Sequence, residues 1–129
     1  MQFHLDQRSG LPMYLQIVQQ VKEALRLGLL DVGDQLPTVR EVVAATAINP
    51  NTVAKAYREL ERDGLVSATP GRGTFIQSTL AADSLEHHET LRRVLLDWIA
   101  QAQRAGMHEE DILALVSRTL HDTFGRRVA

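Results

Sequence analysis

Apolar positions recur at helical spacing most clearly between Asn49 and Gly64, where Val53, Ala56, Tyr57 and Leu60 make one stripe. Asn49 has the side chain to cap the first turn, Pro50 suits the first helical position, and Gly64 supplies the stop. The opposite face carries Asn51, Thr52, Lys55 and Arg58, all donors or cations; the acids Glu59, Glu61 and Asp63 come only afterwards. Alone, such a segment reads as a solvated surface helix, and its neighbours change that reading. Thr38 to Thr46 forms a second short helix, with a Thr cap and apolar Val39, Val42, Val43 and Ala45, and only Ala47 and Ile48 separate it from the Asn49 cap. Two helices joined so tightly predict a helix-turn-helix. Leu65 to Thr69 and Thr74 to Ser78 are β-prone runs around Pro70-Gly71-Arg72-Gly73, a hairpin with an arginine at its tip.

Upstream, Phe3, Leu5 and Leu11 flank a polar turn, and Pro12 opens a scaffold helix expected to reach about Leu30. Tyr14, Ile17, Val18, Val21, Ala24 and Leu25 share its apolar face, with Gln16, Gln19, Gln20, Lys22, Glu23 and Arg26 around the rest. Downstream, a small polar linker follows Ser78, with Asp83 or Ser84 able to cap the next helix. Leu91, Val94, Leu95, Trp98, Ile99 and Ala102 then form a broad stripe ending at Gly106. A last helix begins near His108 with three acids suited to a helix N-terminus, and continues through Ile112, Leu113, Leu115, Val116 and Leu120 to about Phe124. A lone helical hairpin offers too little core for both stripes, so these residues are expected to meet a second copy of the chain. The expected architecture is mainly α with a small β-hairpin: a winged helix-turn-helix domain over 1–78 and a helical dimerisation region over 79–129.

Composition narrows the function. The 129 residues are 44% hydrophobic, enough for one packed domain and an appendage, and contain no cysteine, which excludes disulfides and thiolate chemistry. Without a membrane-length apolar run or a signal-like N-terminus, the expected location is the cytoplasm. The net charge of −2 argues weakly against nucleic acid, but the local balance argues for it: residues 1–78 carry eight basic and eight acidic side chains, and 79–129 carry six against eight. Between 38 and 58, Arg40, Lys55 and Arg58 face Glu41 alone. Catalysis has little support: there is no defensible Ser-His-Asp set and no phosphate-binding glycine loop. The histidines 4, 87, 88, 108 and 121 lack metal-ligand spacing, so neither metal nor cofactor is expected. With 5% aromatics, single-strand binding by base stacking is unsupported, and Tyr57 and Phe75 read as core.

The segments Leu36-Pro37-Thr38-Val39-Arg40-Glu41, Ile48-Asn49-Pro50-Asn51-Thr52-Val53, Ala56-Tyr57-Arg58-Glu59-Leu60, Gly64-Leu65-Val66 and Gly71-Arg72-Gly73-Thr74-Phe75-Ile76 together resemble the DNA-binding domain of GntR-family bacterial transcription regulators. Pro12, Tyr14, Gln16 and Ile17 fit the same pattern, so the resemblance covers about residues 10–78. It implies a winged helix-turn-helix whose second motif helix reads the major groove while the hairpin touches the minor groove or backbone. By position, Arg40 matches a DNA-contacting arginine, Asn49, Asn51 and Thr52 match the polar opening of the recognition helix, and Gly71, Arg72, Gly73 and Thr74 match the wing tip. Thr38, Lys55 and Arg58 complete the expected DNA-facing set. Many members have Ser-Arg where this chain has Asn49-Pro50, and an arginine where it has Ala54, which implies different half-sites. The short tail resembles the YtrA subfamily, with dimers on palindromic operators, repression and a small-molecule effector among the family's implications. The competing readings are a winged helix that binds protein, Arg40 paired with Glu41, and Arg72 as a solvated turn residue.

Overall fold

The computed structural model describes residues 1–81 and 85–125, with side chains at 1–81 and 88–125. Five helices and one hairpin follow in order among these residues: α1 (Met13–Arg26), α2 (Val39–Thr46), α3 (Pro50–Arg62), β1 (Val66–Thr69), β2 (Gly73–Ile76), α4 (Leu85–Arg104) and α5 (Glu109–Phe124). They form two compact units, Met1–Leu85 and Glu86–Ala129. The expected caps at Asp83 or Ser84 lie outside the described residues.

In the first unit α3 is the central element and packs on α1, α2 and β1. Its Val53, Ala56, Tyr57 and Leu60 are buried and meet Ile17, Val21 and Leu25 from α1, Val42 from α2 and Val66 and Ile76 from the hairpin. Burying each of the larger side chains stabilises the fold by about 1.5–3 kcal/mol. β1 and β2 are antiparallel, with Val66 opposite Ile76 and Thr69 opposite Gly73. Gln35 bridges Phe75 on the other edge of β2, giving the wing a short third edge.

Two expectations for α1 are corrected. The helix ends at Arg26 rather than near Leu30, because the Leu29 N–H turns back to the Ala24 carbonyl and the Gly28 N–H to that of Leu25, closing the helix end. Leu30 still packs against the core. Gln16, read as part of the polar face, is buried. Its Oε1 accepts from the Asp6 N–H at 2.8 Å, and its Nε2 donates to the carbonyls of Asp6 and Leu11. One turn later, Gln20 pairs with the N–H and carbonyl of His4. Two side-chain amides thus act as a strand partner for the N-terminal segment and hold Phe3 in the core.

In the second unit α4 and α5 join at Gly106, where the Met107 N–H bonds the Ala102 carbonyl. The His108 N–H donates to Asp111 Oδ2 at the start of α5. Ala102 is buried, and Trp98, Ile99, Ile112 and Val116 are partly covered. Leu91, Val94, Leu95, Leu113, Leu115, Leu120 and Phe124 remain exposed, as does Leu96, which lies outside the stripe read from the sequence.

Candidate nucleic-acid interface

Local sequence builds the helix-turn-helix. The Thr38 hydroxyl accepts from the Glu41 N–H and the Glu41 carboxylate accepts from the Thr38 N–H, a reciprocal capping box that starts α2. Ala47 ends it in the left-handed region at φ 58°, turning the chain within two residues into the Asn49 cap. The Asn49 Oδ1 accepts from the Asn51 N–H at 2.8 Å and Pro50 occupies the first turn. Asn49, expected both to cap the helix and to belong to its DNA-facing opening, therefore has its side-chain oxygen engaged in capping.

The order of charges along α3 acquires a structural reason. Each acid of its C-terminal half has a partner behind the N-terminal half: Glu59 takes Arg62 at 2.6 Å, Glu61 accepts from the Ala68 N–H of the wing, and Asp63 reaches Lys22 of α1 at 3.4 Å. Glu41 is occupied by its capping box rather than by Arg40. Among the described residues Arg40, Arg58 and Arg72 form no ion pair, and all three are exposed, as are Thr38 and Asn51; Thr52 is half-buried. The outer face of α2 and α3 thus carries exposed donors and cations, and the one carboxylate beside them, Glu41, is held in the capping box rather than paired with an arginine, electrostatics that suit a phosphate backbone.

Two aromatic residues place this face. The Tyr57 hydroxyl donates to the Pro37 carbonyl at 2.6 Å, tying the recognition helix to the chain entering α2. Burial first, and the Glu41 carboxylate second, raise its pKa well above the ordinary 10.0. Lys55 Nζ lies 4.0 Å from the centroid of the Tyr14 ring, a cation–π contact that directs its ammonium toward the start of α1. Phe75 is half-buried in the wing.

The wing tip is a turn in which the Arg72 N–H donates to the Thr69 carbonyl at 3.0 Å, with Pro70 second and Gly71 third at φ 76°. Gly73 follows at φ 123° with the Gln35 amide against it, and that amide donates to the Arg72 carbonyl at 3.2 Å. The structure brings Thr38, Arg40, Asn49, Asn51, Thr52, Lys55 and Arg58 together on the two motif helices and carries Arg72 between Gly71 and Gly73, beside Thr74, at the end of the hairpin. Tyr14, Gln35 and Glu61, which support these residues, were not singled out for that role in the sequence; their partners lie 41, 37 and seven residues away, and no spacing rule links them. Among the described residues no helix is long and apolar enough to cross a membrane.

This arrangement of a capped helix-turn-helix followed by a two-stranded wing defines a winged-helix transcription regulator. Residues 13–76 match the model of the bacterial regulatory proteins of the gntR family. The chain is 38% identical over 122 residues to the HTH-type transcriptional repressor YtrA of Bacillus subtilis, covering 94% of each. Among solved structures, a transcriptional antiterminator from Listeria monocytogenes is 35% identical with a TM-score of 0.59, over all of this chain and 97% of that one. The DNA-binding domain of AraR in complex with operator ORE1 is 26% identical with a TM-score of 0.50, over 59% of this chain and 93% of that one. The chain belongs to the gntR family of bacterial regulatory proteins.

Proposed function

We propose that the chain is a homodimeric repressor that presents two α3 helices to the half-sites of a palindromic operator. The observation that carries this reading is the exposed donor and cation face of α2 and α3, whose Arg40 and Arg58 form no ion pair while Glu59, Glu61 and Asp63 have partners of their own. The YtrA relative, named a repressor, and the AraR domain held on operator DNA support the same reading. Arg40 and Arg72 position the DNA backbone, while Asn51 and Thr52 read base edges, with Asn49 and Lys55 beside them. The exposed Leu91, Val94, Leu95, Leu113 and Leu120, with the partly covered Trp98, Ile99, Ile112 and Val116 and the buried Ala102, form the dimer contact. Two-fold symmetry then sets half-sites about one helical turn, or a multiple, apart.

The test is binding to the DNA upstream of its own coding region, by fluorescence anisotropy across a salt series, against a scrambled fragment of equal length. A preference of about a hundredfold, roughly 2.7 kcal/mol, is the expected result. Absence of binding to either fragment at low salt would instead favour a winged helix that docks on protein. Sedimentation of the free chain is expected to give a dimer, and Leu95→Glu a monomer that retains the helix content of the first unit.

A further inference from the structure

We propose that Gln35 is a positioning residue for the wing, fixing the direction in which Arg72 leaves the hairpin. This rests on the reading above that the wing tip touches DNA. The Gln35 Nε2 donates to the Arg72 carbonyl at 3.2 Å, across 37 residues of chain. Because a peptide unit is planar, holding that carbonyl also holds the N–H of Gly73 and the plane between the two residues. The side chain lies where a Cβ on residue 73 would stand: such an atom would overlap the Gln35 Nε2 and lie 3.4 Å from its Cδ. Gly73 is required by its φ of 123°, and any side chain there would have to displace the Gln35 amide from the place it now holds.

The backbone around Gln35 is anchored independently of this bond. The Leu36 N–H donates to the Thr74 carbonyl at 2.9 Å, the Ile76 N–H to Asp34 at 2.8 Å, and the Gly33 N–H to Ile76 at 2.9 Å. Leu36 is buried in the core, Pro37 receives the Tyr57 hydroxyl, and Thr38 caps α2. The residue that touches the wing tip thus sits on the rigid segment that also launches Arg40. One glutamine refers both arginines to a single frame, so the ordering cost of the tip is met before DNA arrives.

The substitution that isolates this role is Gln35→Met, which keeps length and removes the donor. In DNA-free protein, tryptic cleavage after Arg72 is expected to accelerate by about three- to tenfold, the factor corresponding to a net hydrogen bond, with cleavage elsewhere unchanged. Unchanged cleavage after Arg72 would overturn the proposal whatever the protein binds. On operator DNA, Gln35→Met is expected to weaken matched and scrambled fragments alike by a similar factor, and to add less than about twofold in an Arg72→Ala background. An undiminished loss in that background would overturn it, because Gln35 would then act on DNA without Arg72. If Arg72→Ala leaves affinity unchanged, the wing-contact reading fails, and the cleavage assay still decides whether Gln35 holds the tip.

Discussion

Lys55 of the recognition helix rests over the ring of Tyr14 from the scaffold helix, 4.0 Å from its centroid. A residue of the expected DNA-facing set is thereby shared with α1, and its ammonium is drawn over the ring. Tyr14→Leu combined with Lys55→Met in a urea-denaturation cycle is expected to show a coupling of about 0.5–1 kcal/mol, whereas Tyr14→Phe keeps most of it. Strict additivity of the two changes would mean that the contact carries no energy.

Tyr57→Phe removes the hydroxyl that donates to the Pro37 carbonyl at 2.6 Å. The expected loss of stability is about 1–2 kcal/mol, since the carbonyl is left without its donor in a partly buried site. The pH dependence has a definite sign. The folded state holds the phenol's proton above its ordinary pKa of 10.0, so from pH 10 upward the unfolded chain releases a proton that the folded one keeps. Stability contributed by the neutral phenol is complete below pH 10 and declines above it, by about 1.4 kcal/mol per pH unit. Denaturant midpoints of wild type and Tyr57→Phe between pH 8 and 11 should converge as pH rises; parallel curves would contradict the assignment.

Ala47 is a non-glycine residue in the left-handed region, at φ 58° and ψ 23°. A Cβ there works against the conformation that the turn between α2 and α3 needs. Ala47→Gly is therefore expected to raise stability by about 0.5–1 kcal/mol, read as a higher urea midpoint at unchanged slope. A lower midpoint would show that the methyl group makes a packing contribution larger than the strain it causes.

Asn51 and Arg72 are expected to fail in different ways. Arg72→Ala should weaken binding to all sequences alike and flatten the salt dependence by about one phosphate contact. Asn51→Ala should change the ranking of operator variants, by about 1–3 kcal/mol at the base pair it reads. Competition binding against a panel of single-base variants separates the two; an equal loss at every variant for Asn51→Ala would assign that residue to the backbone.

Local rules reached far into this fold because its informative features are local. The Thr38 and Asn49 caps, the Pro50 start and the stripe of Val53, Ala56, Tyr57 and Leu60 each lie within a turn or two of the residues that define them, and each stands where the pattern places it. The family motifs carried Arg40 and Arg72 to exposed positions for the same reason. What escaped was long-range pairing by polar groups. Gln16 has the letter of a solvent-facing residue yet is buried, because its amide meets a backbone ten residues away. Glu61 has the look of an acid that merely follows the basic face, although it caps a strand N–H of the wing. Asn49 suits both DNA and the cap by its chemistry, and its one side-chain oxygen serves the cap.

The pairing of Gln16 and Gln20 with the main chain of Asp6 and His4 determines which positions near the N-terminus tolerate replacement. A segment gripped by its amides and carbonyls is indifferent to side chains that make no bond of their own, so residue 4 can drift through any type except proline, which lacks the N–H, whereas Asp6 also accepts from the Arg8 N–H at 2.8 Å through its carboxylate and keeps a preference for a short acceptor. Gln16 has no such latitude: only another side chain with a donor and an acceptor at the same reach can replace it. A scan of all substitutions should therefore record a permissive site at residue 4, with proline the one type rejected there, a partly restricted site at residue 6, and a nearly invariant one at Gln16.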